Sequence, residues 1–278
     1  MSESMRLKAQ IKKEAKARGV PAQAVLQTFM LERLVERVAL SPYRDQIVLK
    51  GGLLIASMVG IGSRTTMDMD TTVRGLVVSE EGVRAVFGEI CTIGVDDGVV
   101  FEMKGVVPIR ADDEYGGFRA SLLGVYGRIR TPLKVDVTTG DAMTPGPWRY
   151  RFPLQFAERE VEVWAYNVET ILAEKLETIV RRTVFNTRPR DFYDVYILGK
   201  MKGEEIDRGV LGEALRATAA NRGSEGVMEE AEEIVARVAG DERMKGRWER
   251  YCRTNRYAAG IGWGEVMGVV AEMLEGDF

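Results

Sequence analysis

Residues 63–72 read "SRTTMDMDTT". Asp68 and Asp70 stand one residue apart, with Thr65 and Thr66 before them and Thr71 and Thr72 after. In a strand, side chains at i and i+2 share a face, about 6.6 Å apart along the chain. Two carboxylates so placed repel unless they are solvated or bridged by a cation, and Mg²⁺ is the natural bridge. The same alternation predicts Met67 and Met69 on a core-facing side. Spacing alone does not decide between a metal site and an acidic strand edge. The chain holds 42 Asp and Glu in 278 residues, so chance supplies about six acidic-x-acidic triplets.

Working outward, "IVLKGG" (47–52) reads as a short buried strand ending in Gly51-Gly52, and "LLIASMVG" (53–60) as a helix packed on a sheet. Paired glycines between strand and helix let backbone amides approach a phosphate, and the helix N-terminus adds a favourable dipole. Downstream, "LKVDV" (133–137) alternates, with Leu133, Val135 and Val137 on one face and Lys134 and Asp136 on the other. Asp136 would complete a two-metal clamp if its strand lay beside Asp68 and Asp70; a polar outward face is the simpler reading. Further on, "VETILAEKLETIVRRTVFNTRPRDFYDVYIL" (168–198) carries a buried stripe of Val168, Leu172, Leu176 and Ile179 with Lys175 inside it. A lysine there needs a carboxylate or a bound phosphate. Arg181, Arg182, Arg188 and Arg190 follow, then Asp191 and Asp194 on one helical face. A salt-bridged helical hairpin and a cationic surface for triphosphate or RNA, oriented by the aspartates, both fit.

Composition narrows the chemistry. The chain has no histidine, which excludes Ser-His-Asp and Cys-His mechanisms and His-containing zinc sites. Cys91 and Cys252 read as inert core thiols in a reducing compartment. Acid–base and metal work then falls to carboxylates, lysines, arginines and hydroxyls, groups suited to hard cations and phosphates. The net charge of −3 argues against a surface coated for nucleic acid but leaves room for a local basic patch. No P-loop or Rossmann glycine pattern occurs. The charged N-terminus lacks a signal-peptide core, and no apolar stretch is long enough to span a membrane, so a cytoplasmic protein without membrane contact is expected.

Residues 3–18 read as a basic helix, Pro21 opens a second one, and Ser41-Pro42 closes it. Strand signals dominate to about residue 165, interrupted by one helix capped at Ser79. After Asn167 the texture is helical. The expected organisation is residues 1–165 as N-terminal helices and a catalytic α/β core, and residues 166–278 as a helical domain.

The motif order is more specific than any single motif. "VLKGGLLIASMVGIGSRTTMDMDTTV", "LKVDVTTGD" and "AEKLETIVRRTVFNTRPRDFYDVYIL" together resemble the AbiEii/AbiGii family of nucleotidyltransferase toxins, as does the lead-in "GVPAQAVLQTFMLERLVERVALSPYRDQIVLKGG". The resemblance covers roughly residues 15 to 200. Gly60-Ile-Gly-Ser63 stands where many members carry a histidine directly before the arginine. The resemblance implies an α+β fold: a DNA-polymerase-β-like nucleotidyltransferase core with a mixed sheet flanked by helices, plus a C-terminal helical domain. It implies Asp68, Asp70 and Asp136 as metal ligands and catalytic residues, with Lys175 and Asp194 also catalytic. Gly51, Gly52, Arg64, Thr66, Lys175, Arg190 and Asp191 would bind the nucleotide. The implied cofactor is Mg²⁺ or Mn²⁺, the substrate an NTP, and the acceptor an RNA such as a tRNA 3′ end, or a protein hydroxyl. A growth-inhibiting toxin of a type IV, abortive-infection (phage-defence) system is expected, with an antitoxin encoded nearby that need not touch it. A nucleotide (GTP)-binding protein or kinase-like phosphotransferase on the same scaffold is the alternative.

Overall fold

A computed structural model describes residues 3–109, 116–157 and 159–276. Two compact units divide the chain, one of residues 1–140 and 148–165, the other of residues 141–147 and 166–278.

The first unit is built on a mixed sheet, seven-stranded among the described residues. Its strands are β1 (Ile47–Lys50), β2 (Met69–Val73), β3 (Val99–Ile109), β4 (Gly117–Tyr126), β5 (Ile129–Thr138), β6 (Trp148–Leu154) and β7 (Arg159–Ala165). They lie in the order β3-β4-β5-β2-β1-β7-β6. β2 runs parallel to β5 and β1 parallel to β7; the other neighbours are antiparallel. Fully buried central strands should be continuously apolar, and "IVLK" of β1 is buried at every position. β5 shows the half-buried pattern instead: Leu133, Val135 and Val137 are buried while Lys134 is exposed and Asp136 half-buried.

Among the described residues, four helices belong to this unit: α1 (Glu3–Arg18), α2 (Ala22–Leu40), α3 (Gly51–Val59) and α4 (Glu80–Thr92). Ser79 caps α4 by accepting from Gly82 N–H at 3.0 Å. Pro21 takes the N-cap of α2 rather than its first turn, with extended ψ. α2 packs against β5 and β7, burying Leu31, Leu34, Val35 and Val38. It also buries Glu32, Arg33, Glu36 and Arg37. Arg37 donates to both Asp97 oxygens, at 2.8 and 2.9 Å, and to Val99 O, with its guanidinium over the Phe101 ring.

The second unit is helical: α5 (Val168–Arg182), α6 (Pro189–Lys202), α7 (Arg208–Arg222), α8 (Glu225–Met228), α9 (Ala231–Ala239), α10 (Glu242–Thr254) and α11 (Trp263–Met273). Asn167 caps α5, accepting from Thr170 N–H at 2.9 Å, and donates to Thr144 O at 2.8 Å. An aromatic cluster fills the core: Tyr193 of α6 lies against Trp248, Tyr251 and Tyr257, and Phe192 against Trp263. Glu177, fully buried on α5, accepts from Arg181, Arg222 and Ser224. That charge is paired, as burial requires.

Both cysteines are free and only partly buried, so neither is the core thiol expected from sequence. Burial still pushes the Cys91 thiol up to about 11. No helix among the described residues is long and apolar enough to cross a membrane.

Candidate active site

In the first unit, the turn from β1 into α3 and the approach to β2 place the predicted glycines beside the predicted carboxylates. Gly51 has φ +66°, a conformation that an L side chain rarely adopts. A Cβ there would lie 2.2 Å from Asp70 Oδ2. Gly52 is as constrained: its Cβ would meet Thr66 Oγ1 at 2.9 Å and Arg64 Nη2 at 3.2 Å. The pair is glycine because Asp70, Thr66 and Arg64 close directly on the backbone. Gly52 N–H donates to Asp70 Oδ2 at 3.2 Å, fixing that carboxylate at the start of α3.

β2 begins at Met69, so Asp68 sits just before the strand and Asp70 within it. Met69 is 1 % exposed, as the alternation predicts. Met67 is 43 % exposed, contrary to the expectation of a core-facing side chain, because the chain is not yet extended there. Thr66 Oγ1 donates to Asp68 O at 3.1 Å and braces the approach. Buried Gln27 of α2 donates to Met67 O and Pro132 O at 2.8 and 3.1 Å, tying that approach to β5. Arg64 is 1 % exposed and donates to Thr65 O.

The parallel pairing of β2 with β5 sets Asp70 opposite Asp136. Thr71 Oγ1 donates to Asp136 O at 3.0 Å, and Thr138 Oγ1 to Thr71 O at 3.3 Å, locking that register. The third carboxylate is thus brought to the other two. Its oxygens are engaged, however: Arg119 of β4, paired with Asp136 across the antiparallel ladder, donates from Nε to Oδ1 at 2.7 Å and from Nη2 to Oδ2 at 2.8 Å. Sequence reading missed Arg119 altogether.

The charges act on one another. Burial pushes the Asp68 carboxyl above its ordinary range; Lys134 pulls it down and Asp70 pushes it up. The hydrogen bond to Asp136 holds the Arg119 guanidinium even more firmly protonated, with Asp68 and Asp70 adding to the effect.

Asp68 and Asp70 offer hard oxygen donors of the kind Mg²⁺ takes. Among the described residues, no three Asp, Glu or Cys side chains converge as a ready-made metal cluster. The donor set therefore fits a divalent cation on Asp68 and Asp70, with Asp136 neutralised by arginine.

In the second unit, Lys175 has the carboxylate partners its position demands. Nζ lies 2.7 Å from Asp191 Oδ1 and 3.4 Å from Asp194 Oδ2, and both aspartates are buried on one face of α6. Both aspartates thus turn to Lys175. Arg181 pairs with Glu177 at 2.6 Å, and Arg190 is exposed.

A family model described as nucleotidyl transferase AbiEii toxin, type IV TA system, matches residues 33–261. Among solved structures, the chain is similar to JHP933 from Helicobacter pylori, with TM-score 0.51 and 15% identity over 91% of this chain and 94% of that one. It is also similar to a second H. pylori protein, described as a candidate nucleotidyltransferase, with TM-score 0.50 and 16% identity over 92% of this chain and 98% of that one. At such identities the likeness concerns the fold, which is an α+β, nucleotidyltransferase-like one. No curated protein matches the chain as a relative. The family match spans most of the chain, including the glycine turn, the paired aspartates and the Lys175 cluster, and the protein belongs to the AbiEii family of nucleotidyltransferase toxins of type IV toxin–antitoxin systems.

Proposed function

We propose that the chain transfers a nucleoside monophosphate from an NTP to a hydroxyl of an RNA acceptor, of which a tRNA 3′ end is the leading case, with Mg²⁺ held by Asp68 and Asp70. The observation that carries this reading is the fixing of Asp70 by Gly52 N–H over a turn that no side chain larger than hydrogen fits. In the reaction the acceptor hydroxyl gives up its proton to solvent, its oxygen bonds to the α-phosphorus, the bond from that phosphorus to the α–β bridging oxygen breaks, and pyrophosphate leaves with the displaced electron pair. A divalent cation bound there supplies charge neutralisation of the phosphates and a lower pKa for the attacking hydroxyl.

The rest is the work of this chain's own residues. With Gly52 N–H held by Asp70, the other amides of the first turn of α3 are the donors offered to phosphate oxygens. Asp70 is oriented before any ligand arrives, so no reorganisation is needed on binding. Asp136 acts through Arg119: it holds a guanidinium as a fixed cation beside Asp68 and Asp70, and the lone pairs that Arg119 leaves on its two oxygens stay open to a further partner. Lys175 and Arg190 serve the triphosphate in the family pattern, Lys175 being steadied by Asp191 and Asp194.

Type IV membership implies a cognate antitoxin; abortive infection on phage attack is the physiological setting we infer for the pair. The experiment uses each NTP labelled at the α- or γ-phosphate, with Mg²⁺ and total RNA. Label carried into RNA from the α position supports transfer of a nucleotide. Label from the γ position alone would show a kinase-like phosphotransferase, and binding without label a nucleotide-binding protein.

A further inference from the structure

The stretch from the last residues of α5 to the first of α6, "RRTVFNTRPR" (181–190), holds four arginines and no acid. At its centre Phe185 is 76 % exposed. An aromatic ring so exposed normally folds back onto the protein, since nothing in water rewards it for standing out.

The segment is held in this shape. Thr183 N–H donates to Ile179 O and Val180 O, and its φ is +48°, an unfavourable conformation for a β-branched residue. Asn186 is fully buried, and its Oδ1 accepts from Arg188 N–H at 2.8 Å. Arg247 of α10 reaches across with Nη1 to Val184 O at 3.3 Å and to Asn186 O at 2.8 Å. The carbonyls on either side of Phe185 are therefore clamped by one guanidinium. A non-glycine residue kept at positive φ, together with a buried asparagine and an arginine brace, presents this ring outward; such strain persists only where its surroundings over-determine it.

The chemistry around the ring is cationic. Arg181 is engaged with Glu177. Arg188 is exposed, and among the described residues its side chain makes no hydrogen bond or ion pair. A protein hot spot would surround an exposed aromatic with further apolar area, but Thr187, Arg188 and Arg190 next to this one are polar and exposed. A rigid π-face bordered by guanidinium groups suits an unpaired base with its flanking phosphate.

We propose that Phe185 is a stacking platform for an unpaired nucleotide of single-stranded RNA, with Arg188 taking the adjacent phosphate and Arg247 acting as a positioning residue for the loop. The proposal rests on the reading of the acceptor as RNA and names the surface of the second unit that recognises it.

The test is direct binding of a short fluorescein-labelled single-stranded RNA to the full chain, followed by anisotropy without NTP or divalent cation. Phe185→Ala and Phe185→Leu should each weaken binding roughly tenfold, and Phe185→Trp should keep it, because stacking needs a π-face rather than apolar bulk. Arg188→Glu should weaken binding and lower the salt slope by about one. As both side chains are exposed, melting temperatures should stay within a degree or two of wild type. Wild-type affinity in Phe185→Ala or Phe185→Leu would overturn the platform. So would intact RNA binding by Phe185→Ala combined with loss of antitoxin capture, which would make the surface a protein dock. Aromatic-dependent RNA binding by a chain that labels no RNA would uphold the platform while refuting transfer to RNA.

Discussion

Glu32 is 1 % exposed on α2, and burial pushes its carboxyl up to about 8 against the pull of Arg33 and Arg18. The folded state therefore keeps a proton that the unfolded chain sheds near its ordinary value of 4.5. A raised carboxyl pKa gives stability that is fully present below the unfolded value and lost as pH rises through the folded one. Stability should fall between about pH 5 and 8, read as a falling melting temperature, with a slope in unfolding free energy of up to about 1.4 kcal/mol per pH unit from this group alone. Glu32→Gln should remove that part of the slope and leave the variant more stable than wild type at pH 8.5. An unchanged slope would place the buried proton elsewhere. At this scale the sequence was legible where a residue contradicted its surroundings. Lys175 inside an apolar stripe demanded carboxylates, and Asp191 and Asp194 supply them. Burial of Glu32 and Arg37 was not legible, because apolar periodicity fixes one face of α2 and is silent about Gln155, Phe156 and Asp97 facing the rest.

Between residues and whole units, the elements decide the site's geometry. The β1–α3 turn admits only glycine at position 51, where φ is +66° and Asp70 Oδ2 occupies the space of a Cβ. Gly51→Ala should destabilise the chain by about 2–4 kcal/mol and abolish transfer, read by thermal melting alongside the labelling assay. A variant as stable and active as wild type would show that the close approach is not required. The glycine pair and the Asp68–Asp70 spacing were readable because each is local. Arg119 was hidden because its pairing with Asp136 depends on the antiparallel register of β4 on β5, which no alternation in "FRASLLGVY" specifies. That pair yields a sharper expectation. If Asp136 works through Arg119, then Arg119→Ala, Asp136→Ala and the double variant should lose similar activity, the coupling energy cancelling the second loss. Losses that multiply in the double variant would give Asp136 a separate role.

Across the whole molecule, the strand-rich texture gives way to helices at Asn167, where the cap of α5 is visible in the sequence itself. Residues 141–147, which belong to the helical unit, were not readable as such. They are tied to it by Asn167 and Thr170 side chains on the Thr144 backbone, 23 and 26 residues away in sequence. The later helices showed no motif, yet their aromatic residues close around Tyr193 of α6, and the family match continues to residue 261. Their function in the fold is to complete the core behind α6. The central claim concerns the first unit: Asp68 and Asp70 are the carboxylates on which nucleotide transfer depends. The most direct measurement is transfer of α-labelled nucleotide to RNA by wild type and Asp70→Ala, each with Mg²⁺ and with excess chelator, after melting curves confirm that both are folded. The account predicts labelled RNA from wild type with Mg²⁺, none with chelator, and a loss of at least about a hundredfold in Asp70→Ala. Equal labelling by folded Asp70→Ala, or by wild type in chelator, would contradict it.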